Sequence, residues 1–314
     1  MKKITVKAFA KINLALDVLE KLPNGYHAVQ TVMQQIDLSD RVTVAWDTEI
    51  PETEAGKIAL TTDSPELPPD GGNLAWRAAR LMLAEFAPAK PGKVSIHIEK
   101  RIPVAAGLAG GSGDAAAVMH ALAFLWGLRL PLESLVEKGA LLGADVPFCV
   151  MGQAALNPET GCLDTAAASA AALAEGVGEL LTPLPALEGW ILLVKPPVSV
   201  STAEIYGKIA FEKIGERPDV LELAEGLRRK DMGRIKKNMV NVLEKVSAEE
   251  YPVIKSVKDK LLAAPAREAV LMSGSGPAVF AFFKDEKPAR KAYTSLRKVF
   301  GEIFLVKLIG TVQR

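Results

Sequence analysis

Cysteine is almost missing from this chain. Two residues in 314, Cys149 and Cys162, are too few for a disulfide framework and have no neighbouring ligand cluster for a metal. A reducing compartment, the cytoplasm, is the expected setting. Net charge is missing too: 38 basic side chains face 37 acidic ones, for a formal charge of +1, which argues against a nucleic-acid surface or a polybasic membrane anchor. Long apolar runs are also absent. The opening MKKITVKAFAKINLAL starts like a secretion signal, but Lys7 and Lys11 interrupt its apolar stretch, and no other run approaches the roughly 20 residues that span a bilayer. Membrane function is not expected.

What is present is globular composition, 49% hydrophobic and 24% charged, over a length that favours two domains or one large one. The even positions from Ile4 to Val18 are all apolar, which predicts a half-buried, bent strand whose odd face carries Lys7, Phe9, Lys11, Asn13 and Asp17. After the turn at Pro23 to Gly25, Ala28 to Ile36 and Arg41 to Trp46 read as two strands, and Lys57 to Thr61 as a short one. Asn73 should cap a helix over Leu74 to Phe86. Val94 to Glu99 alternates as a strand with His97 on its wet face, a spectator. Helices follow over Ala115 to Trp126, with His120 structural inside it, and over Leu132 to Leu142.

The one low-complexity stretch, residues 154–174, reads as a surface loop. Beyond it, a buried strand at Trp190 to Val194 opens a second half. Helical patterns there cover Ala203 to Ile209, Val220 to Leu227, Met232 to Leu243, Val253 to Ala263 and Lys287 to Val299. Strands are expected at Glu268 to Met272, Ala278 to Phe283 and Phe304 to Leu308. Two α/β halves meeting near residues 150–185 is the resulting map, with no internal repeat.

Three features can carry chemistry. The loop GLAGGSGDAA exposes backbone amides at Gly107, Gly110, Gly111 and Gly113 just before a helix, a phosphate-binding arrangement, though a plain tight turn is an equal alternative. It is neither a Walker A loop nor a dinucleotide fingerprint. Asp145, set in GADVPF, is either a helix-start cap or a base in an apolar pocket, and capping is the commoner role. Lys11 and Asn13 are alternate residues that a strand points to one side, and a lysine in such a strand usually reaches solvent from an edge.

Taken in order and spacing, AKINLAL, NGYH, PVAAGLAGGSGDAAA, GADVPF, GVGELLTPLP and LMSGSGPAVF resemble the galactokinase, homoserine kinase and mevalonate kinase (GHMP) superfamily of small-molecule kinases. The resemblance covers essentially the whole chain. AKINL with NGYH, and GADVPF, point to the branch acting on a cytidine-diphosphate-linked methylerythritol. It implies a two-domain α+β / α/β fold: an N-terminal nucleotide-binding domain over residues 1–153, and a C-terminal α/β substrate domain over 154–314, with a cleft between them. It also implies transfer of the γ-phosphoryl of ATP, with Mg²⁺, to the 2-hydroxyl of that substrate, in the non-mevalonate route to isoprenoid precursors.

By the same resemblance Asp145 would be the base and Lys11 its charge partner. Pro103, Gly107, Leu108, Ala109, Gly110, Gly111, Ser112, Gly113 and Asp114 would wrap the phosphates, with Asn73 and Lys100 bordering the nucleotide. Tyr26, His27, Thr202 and Tyr206 would form the cytidine site, and Asn13 would hold the erythritol or its diphosphate.

Three positions depart from that pattern. Gly113 stands where a second serine is usual, Phe9 where proline is usual, and Leu156 to Ala172 reads as an inserted, solvated excursion whose deletion should leave stability unchanged. Rival readings are a kinase of the mevalonate or phosphomevalonate type, which would have no use for Tyr26 and His27, and a non-catalytic nucleotide-binding relative, which would have no use for both Lys11 and Asp145.

Overall fold

The structure, a computed structural model, describes residues 1–89, 92–160 and 167–310. The opening apolar pattern forms strand β1 (Lys2–Lys21), and the NGYH turn folds it back into β2 (His27–Asp47). The two strands expected over residues 28–46 are therefore one. Its polar middle is held by a distant partner, because Asp40 Oδ1 accepts the amides of Arg101 and Ile102 at 2.6 and 2.8 Å.

β2 is the spine of a six-stranded sheet. One edge pairs with β1 over its whole length, and the other takes β4 (Lys93–Glu99) along Arg41–Asp47 and β5 (Ala171–Glu175) along Thr31–Gln34. β3 (Ile58–Thr62) lies parallel outside β4, and β6 (Leu180–Pro183) antiparallel outside β5. The sheet thus takes strands from both sides of the division expected at 153/154. It packs on helices α1 (Leu74–Phe86), α2 (Gly110–Leu125), α3 (Leu132–Ala140) and α4 (Val146–Leu156). Alanine-rich α2 is buried nearly all round, as a helix apolar on every side must be.

A second, antiparallel sheet has the order β10-β7-β9-β8, built from β7 (Trp190–Lys195), β8 (Ala269–Met272), β9 (Val279–Phe283) and β10 (Glu302–Lys307). Around it lie α5 (Thr202–Gly207), α6 (Val220–Arg229), α7 (Met232–Lys237), α8 (Leu243–Glu250), α9 (Pro252–Leu262) and α10 (Glu286–Leu296). The single helix expected over Met232 to Leu243 stops at Lys237, and the chain turns before α8.

β1 links these layers. Val6 and Ala8 belong to the core beneath α2, Ala10 to Ala15 to a core shared with β7, β9 and α6, and Leu16 with Val18 to a third around α8 and α9. The expectation of a half-buried strand therefore holds only up to Lys7. From Ala8 to Asp17 both faces are buried, Lys11 and Asn13 included.

The expected solvated excursion at 156–172 is also corrected. Residues 161–166, with Cys162, lie outside the described residues. At the near end Asn157 and Thr160 are buried, and Asn157 Nδ2 donates to the Lys7 carbonyl at 3.2 Å. At the far end Ala170, Ala171 and Ala172 are fully buried, and β5 begins at Ala171. Deleting the whole stretch would take the start of a sheet strand and leave a void, so it is not neutral. Among the described residues no helix is long and apolar enough to cross a membrane.

Candidate active site

A cavity of about 650 Å³ opens where the β1–β2 hairpin, the glycine-rich loop, the start of α4 and the 273–276 loop converge. Of the residues singled out in the sequence, Lys11, Asn13, Tyr26, His27, Gly107, Asp145, Thr202 and Tyr206 line it. Asn73, Lys100, Pro103 and residues 108–114 do not.

Lys11 is not an edge residue reaching solvent: it is 3% exposed. Its Nζ donates to Asn13 Oδ1 at 2.8 Å and to the Gly107 carbonyl at 3.2 Å, and lies 3.5 Å from Asp145 Oδ2. A buried ammonium needs such partners, since desolvating it alone costs several kcal/mol. Asn13 is oriented in turn by Thr31, whose Oγ1 accepts from Asn13 Nδ2 at 2.9 Å and donates to the Ala15 carbonyl at 2.6 Å. Asp145 stands at the head of α4, but its side chain makes no capping bond to that helix. Of the two roles open to it, capping is the one its carboxylate does not perform. The carboxylate is 38% exposed and paired with Lys11, open on the cavity side to a hydroxyl.

The glycine-rich loop is held in a strained form. Ala105, Gly107 and Ala109 have φ of 51°, 74° and 55°, a left-handed conformation that costs alanine about 1–2 kcal/mol and persists only where surroundings impose it. Here the surroundings are β1 and the 273–276 loop: Lys11 N donates to Leu108 O at 3.1 Å, Ser273 Oγ to Gly107 O at 2.9 Å, and Ala278 N to Ala106 O at 3.3 Å. Immediately after, Gly110 to Gly113 form the first turn of α2 rather than a loop, so its amides and helix dipole face one end. That end suits an anion.

Behind this turn lies a buried charge cluster. Lys100 Nζ bonds Asp40 Oδ2, lies 3.0 Å from Asp114 Oδ2, and sits 2.9 Å from where a Cβ on Gly110 would be. Burial works against the Lys100 charge, but the two carboxylates outweigh it and hold the ammonium above its ordinary pKa. Burial pushes Asp114 up to about 7, opposed by Lys100 and reinforced by Asp40. Lys100 and Asp114 thus support the loop from behind. Asn73 caps α1 through Ala75 N at 2.9 Å and donates to Pro68 O at 3.1 Å.

Two of the departures noted in the sequence meet here. A Cβ on Gly113 would stand 3.1 Å from the Phe9 carbonyl, tighter than ordinary contact. Gly113→Ser is therefore expected to give no gain in kcat/KM for ATP and to lower Tm by a few degrees, the scale of about 1–3 kcal/mol of overpacking. Kinetics with ATP and a melting curve check it. A rise in kcat/KM would mean that β1 yields and that the hydroxyl reaches the phosphates.

The far end of the cavity is aromatic. The His27 ring centroid lies 5.2 Å from that of Tyr206 and 6.2 Å from that of Phe211, the latter stacked at 27°. Burial, and secondarily the Lys21 charge, lower the His27 pKa, which keeps the imidazole neutral near pH 7 with one donor and one acceptor nitrogen. Burial, with the Asp145 charge, raises the Tyr206 phenol. Tyr26 stands at the hairpin tip, 63% exposed. Thr202 Oγ1 is 2.9 Å from Ser275 Oγ, which joins α5 to the 273–276 loop. His97 and His120 stay outside the cavity. His97 is exposed beside Thr61, and burial lowers the His120 pKa to about 4 where its Nε2 meets Val150 O at 3.0 Å.

Sequence reasoning assigned no role to the residues that shape the 273–276 loop. Asn241 Nδ2 donates to Met272 O and Gly274 O, both at 2.8 Å, Glu244 Oε2 accepts from Met272 N, and Ser247 Oγ donates to Ser275 O. Gly274 and Ser275 line the cavity. The only available signal was the SGSGP turn composition.

Residues 73–153 match the family described as GHMP kinases N terminal domain, and 223–302 match GHMP kinases C terminal. The chain is 40% identical over 308 residues to the 4-diphosphocytidyl-2-C-methyl-D-erythritol kinase of Alkaliphilus metalliredigens, covering 98% of this chain and 97% of that protein. It is 42% identical over 310 residues to the protein of the same name from Acetivibrio thermocellus, covering 98% and 100%. A crystal structure of 4-(cytidine 5'-diphospho)-2C-methyl-D-erythritol kinase superimposes with TM-score 0.74 at 33% identity, over 98% of this chain and 100% of that one. Homoserine kinase from Cytophaga hutchinsonii superimposes with TM-score 0.72 at 20% identity, over 100% and 96%, a likeness of fold alone.

Proposed function

The chain belongs to the 4-diphosphocytidyl-2-C-methyl-D-erythritol kinases of the GHMP kinase family, and from that premise we propose that it transfers the γ-phosphoryl of ATP to the 2-hydroxyl of 4-diphosphocytidyl-2-C-methyl-D-erythritol. The observation that carries the reading is the Lys11–Asp145 pair, placed in one cavity between a loop shaped for phosphate and an end built of His27, Tyr206 and Tyr26.

In this reading Asp145 takes the proton of the acceptor hydroxyl, whose oxygen attacks the γ-phosphorus while ADP leaves. Lys11, fixed by Asn13 and Gly107, pairs with the Asp145 carboxylate and offsets the charge that develops on the transferred group. The amides of the α2 first turn hold the phosphates, and Asn13 borders the erythritol. Among the described residues no three His, Cys, Asp or Glu side chains converge on a metal position. Ser112, in the first turn of α2, is the hydroxyl we assign to Mg²⁺ carried in on the ATP phosphates. The ion would neutralise charge on the β- and γ-phosphates. The cytoplasm is the compartment we assign.

Turnover with ATP and each of three acceptors, 4-diphosphocytidyl-2-C-methyl-D-erythritol, mevalonate and phosphomevalonate, tests the assignment. Activity on either of the last two alone would overturn it. The Tyr26 ring should stack on the cytosine, an interaction worth about 1–3 kcal/mol, so Tyr26→Ala is expected to weaken substrate binding roughly 5- to 150-fold and to spare ATP. Titration of both ligands checks this. A loss confined to ATP would exchange the two ends of the cavity.

A further inference from the structure

The segment between α5 and α6, residues 208–219, has a single short 3₁₀ turn at Phe211–Lys213. It carries Phe211 to the His27 ring, 6.2 Å between centroids. His27 stands at the mouth of the β1–β2 hairpin, opposite Lys21. Its ring therefore depends on neighbours outside the hairpin for a fixed orientation.

Two hydrogen bonds from one side chain tie the segment to β1 of the hairpin. Arg217 Nη1 donates to Asp17 Oδ1 at 2.5 Å and to the Val18 carbonyl at 3.1 Å. Asp17 is 7% exposed, and burial raises its pKa against the pull of the Arg217 guanidinium. A buried carboxylate in that state keeps its charge at the expense of folding unless the arginine stays, so the pair resists separation. Elsewhere the segment is held by Lys245 Nζ on the Lys213 carbonyl, by Asn238 Oδ1 on the Asp219 amide, and by Ile209, Phe211 and Ile214 packing on the third core. That core includes Leu16, Val18 and Val29 of the hairpin, so the Arg217 bonds add a directional polar tie to a non-directional apolar one.

We propose that Arg217, through its ion pair with Asp17, is a positioning residue that holds Phe211 against the His27 imidazole and so sets selectivity for a substrate bearing a pyrimidine base. The inference rests on the reading of His27 and Tyr206 as the base-binding end of the cavity. Arg217 touches no substrate in this account. It closes a path that leaves the hairpin at Asp17, crosses to Arg217 by hydrogen bond, follows the chain back to Phe211 and returns to the hairpin at His27 by ring contact. A neutral imidazole pairs with a base edge only within a narrow range of angles, so a ring free to tilt loses affinity for the base and leaves phosphoryl transfer untouched.

The test uses the full chain and four proteins: wild type, Arg217→Met, Arg217→Lys and Phe211→Leu. Kinetics give kcat and both KM values, and cytidine diphosphate serves as a competitive probe of the base site. Arg217→Met and Phe211→Leu should each raise the KM for the cytidine-bearing substrate and the inhibition constant of cytidine diphosphate by roughly 5- to 50-fold, the scale of one charge-assisted hydrogen bond felt in part at the site. Values of kcat and KM for ATP should stay within about twofold, and Arg217→Lys should recover most of the loss. Phe211→Leu keeps the apolar packing and removes only the ring, so it tests the stacking without the ion pair. Unchanged constants in both variants, an equal loss for ATP, or no recovery with lysine would overturn the proposal. A wild-type protein that neither turns over the cytidine-bearing substrate nor binds cytidine diphosphate would instead overturn the proposed function, and the inference with it.

Discussion

Asp145→Asn is expected to lower kcat by roughly 10²- to 10⁴-fold, the usual contribution of a positioned general base. Asparagine has the same shape and still offers an oxygen to Lys11, but it takes no proton. The Asp145 side chain makes no helix-capping bond, so none is lost. Lys11 loses a counter-charge at 3.5 Å yet keeps Asn13 Oδ1 and Gly107 O. The fold should survive with a modest fall in Tm, and KM for both substrates should change little compared with kcat. Steady-state kinetics beside a melting curve separate the two effects. Turnover near that of wild type would remove Asp145 from the role of base, and a collapse of folding would make it structural.

The second large effect is expected at Gly107. A Cβ there would stand 2.2 Å from the Ser273 carbonyl, a backbone atom that cannot rotate aside, and the position has a φ of 74°. Gly107→Ala must push the glycine-rich loop away from the 273–276 loop. That weakens both bonds accepted by the Gly107 carbonyl, from Lys11 Nζ and Ser273 Oγ. Displacing a catalytic group by about 1 Å can cost 10²-fold in rate, so kcat/KM for ATP should fall by about that factor or more. Gly56 supplies the control, with a φ of 72° and nothing within 4 Å of the added atom. Gly56→Ala isolates the left-handed backbone cost, about 1–2 kcal/mol, from the overlap. If both variants melt at the same temperature and turn over ATP equally well, the two loops are not clamped together.

Periodicity located most strands and helices, because alternation and helical spacing are local. It failed where a distant partner decides the structure. Asp40 sits mid-strand since the amides of Arg101 and Ile102 come to it, and no nearby residue announces them. Asn241 lies where a helix was expected because its side chain bonds the carbonyls of Met272 and Gly274, some thirty residues away. Ala171 to Ala174 showed no pattern because both faces of β5 are buried, Ala172 and Ala174 in one core, Ala171 and Leu173 in another. In the site, Lys11, Asn13 and Asp145 were legible as candidates, but their burial and mutual contact were not. Spacing of two on a strand placed Lys11 and Asn13 on one side, whereas the approach of Asp145 depends on how α4 meets β1.

The passage of β1 through three cores bears on how the chain folds as it is synthesised. A nascent chain that has emerged only to residue 153 has its strand partner β2 and the helices of the first core. It has only part of the cover for Ala10, Ile12 and Leu14, from Val32, Ile36, Ile102 and Leu108, and the rest waits for Ile191, Leu193, Phe280 and Phe282, while Leu16 and Val18 wait for α8 and α9. At about 5–20 residues per second, that leaves the buried middle of β1 partly uncovered on the ribosome for several seconds or more. Sequence-distant pairing of this kind also slows folding of the finished chain, since loop closure must precede the contacts that reward it. The interval between synthesis of β1 and of β9 is thus the window in which this protein is most exposed to aggregation and most dependent on chaperones.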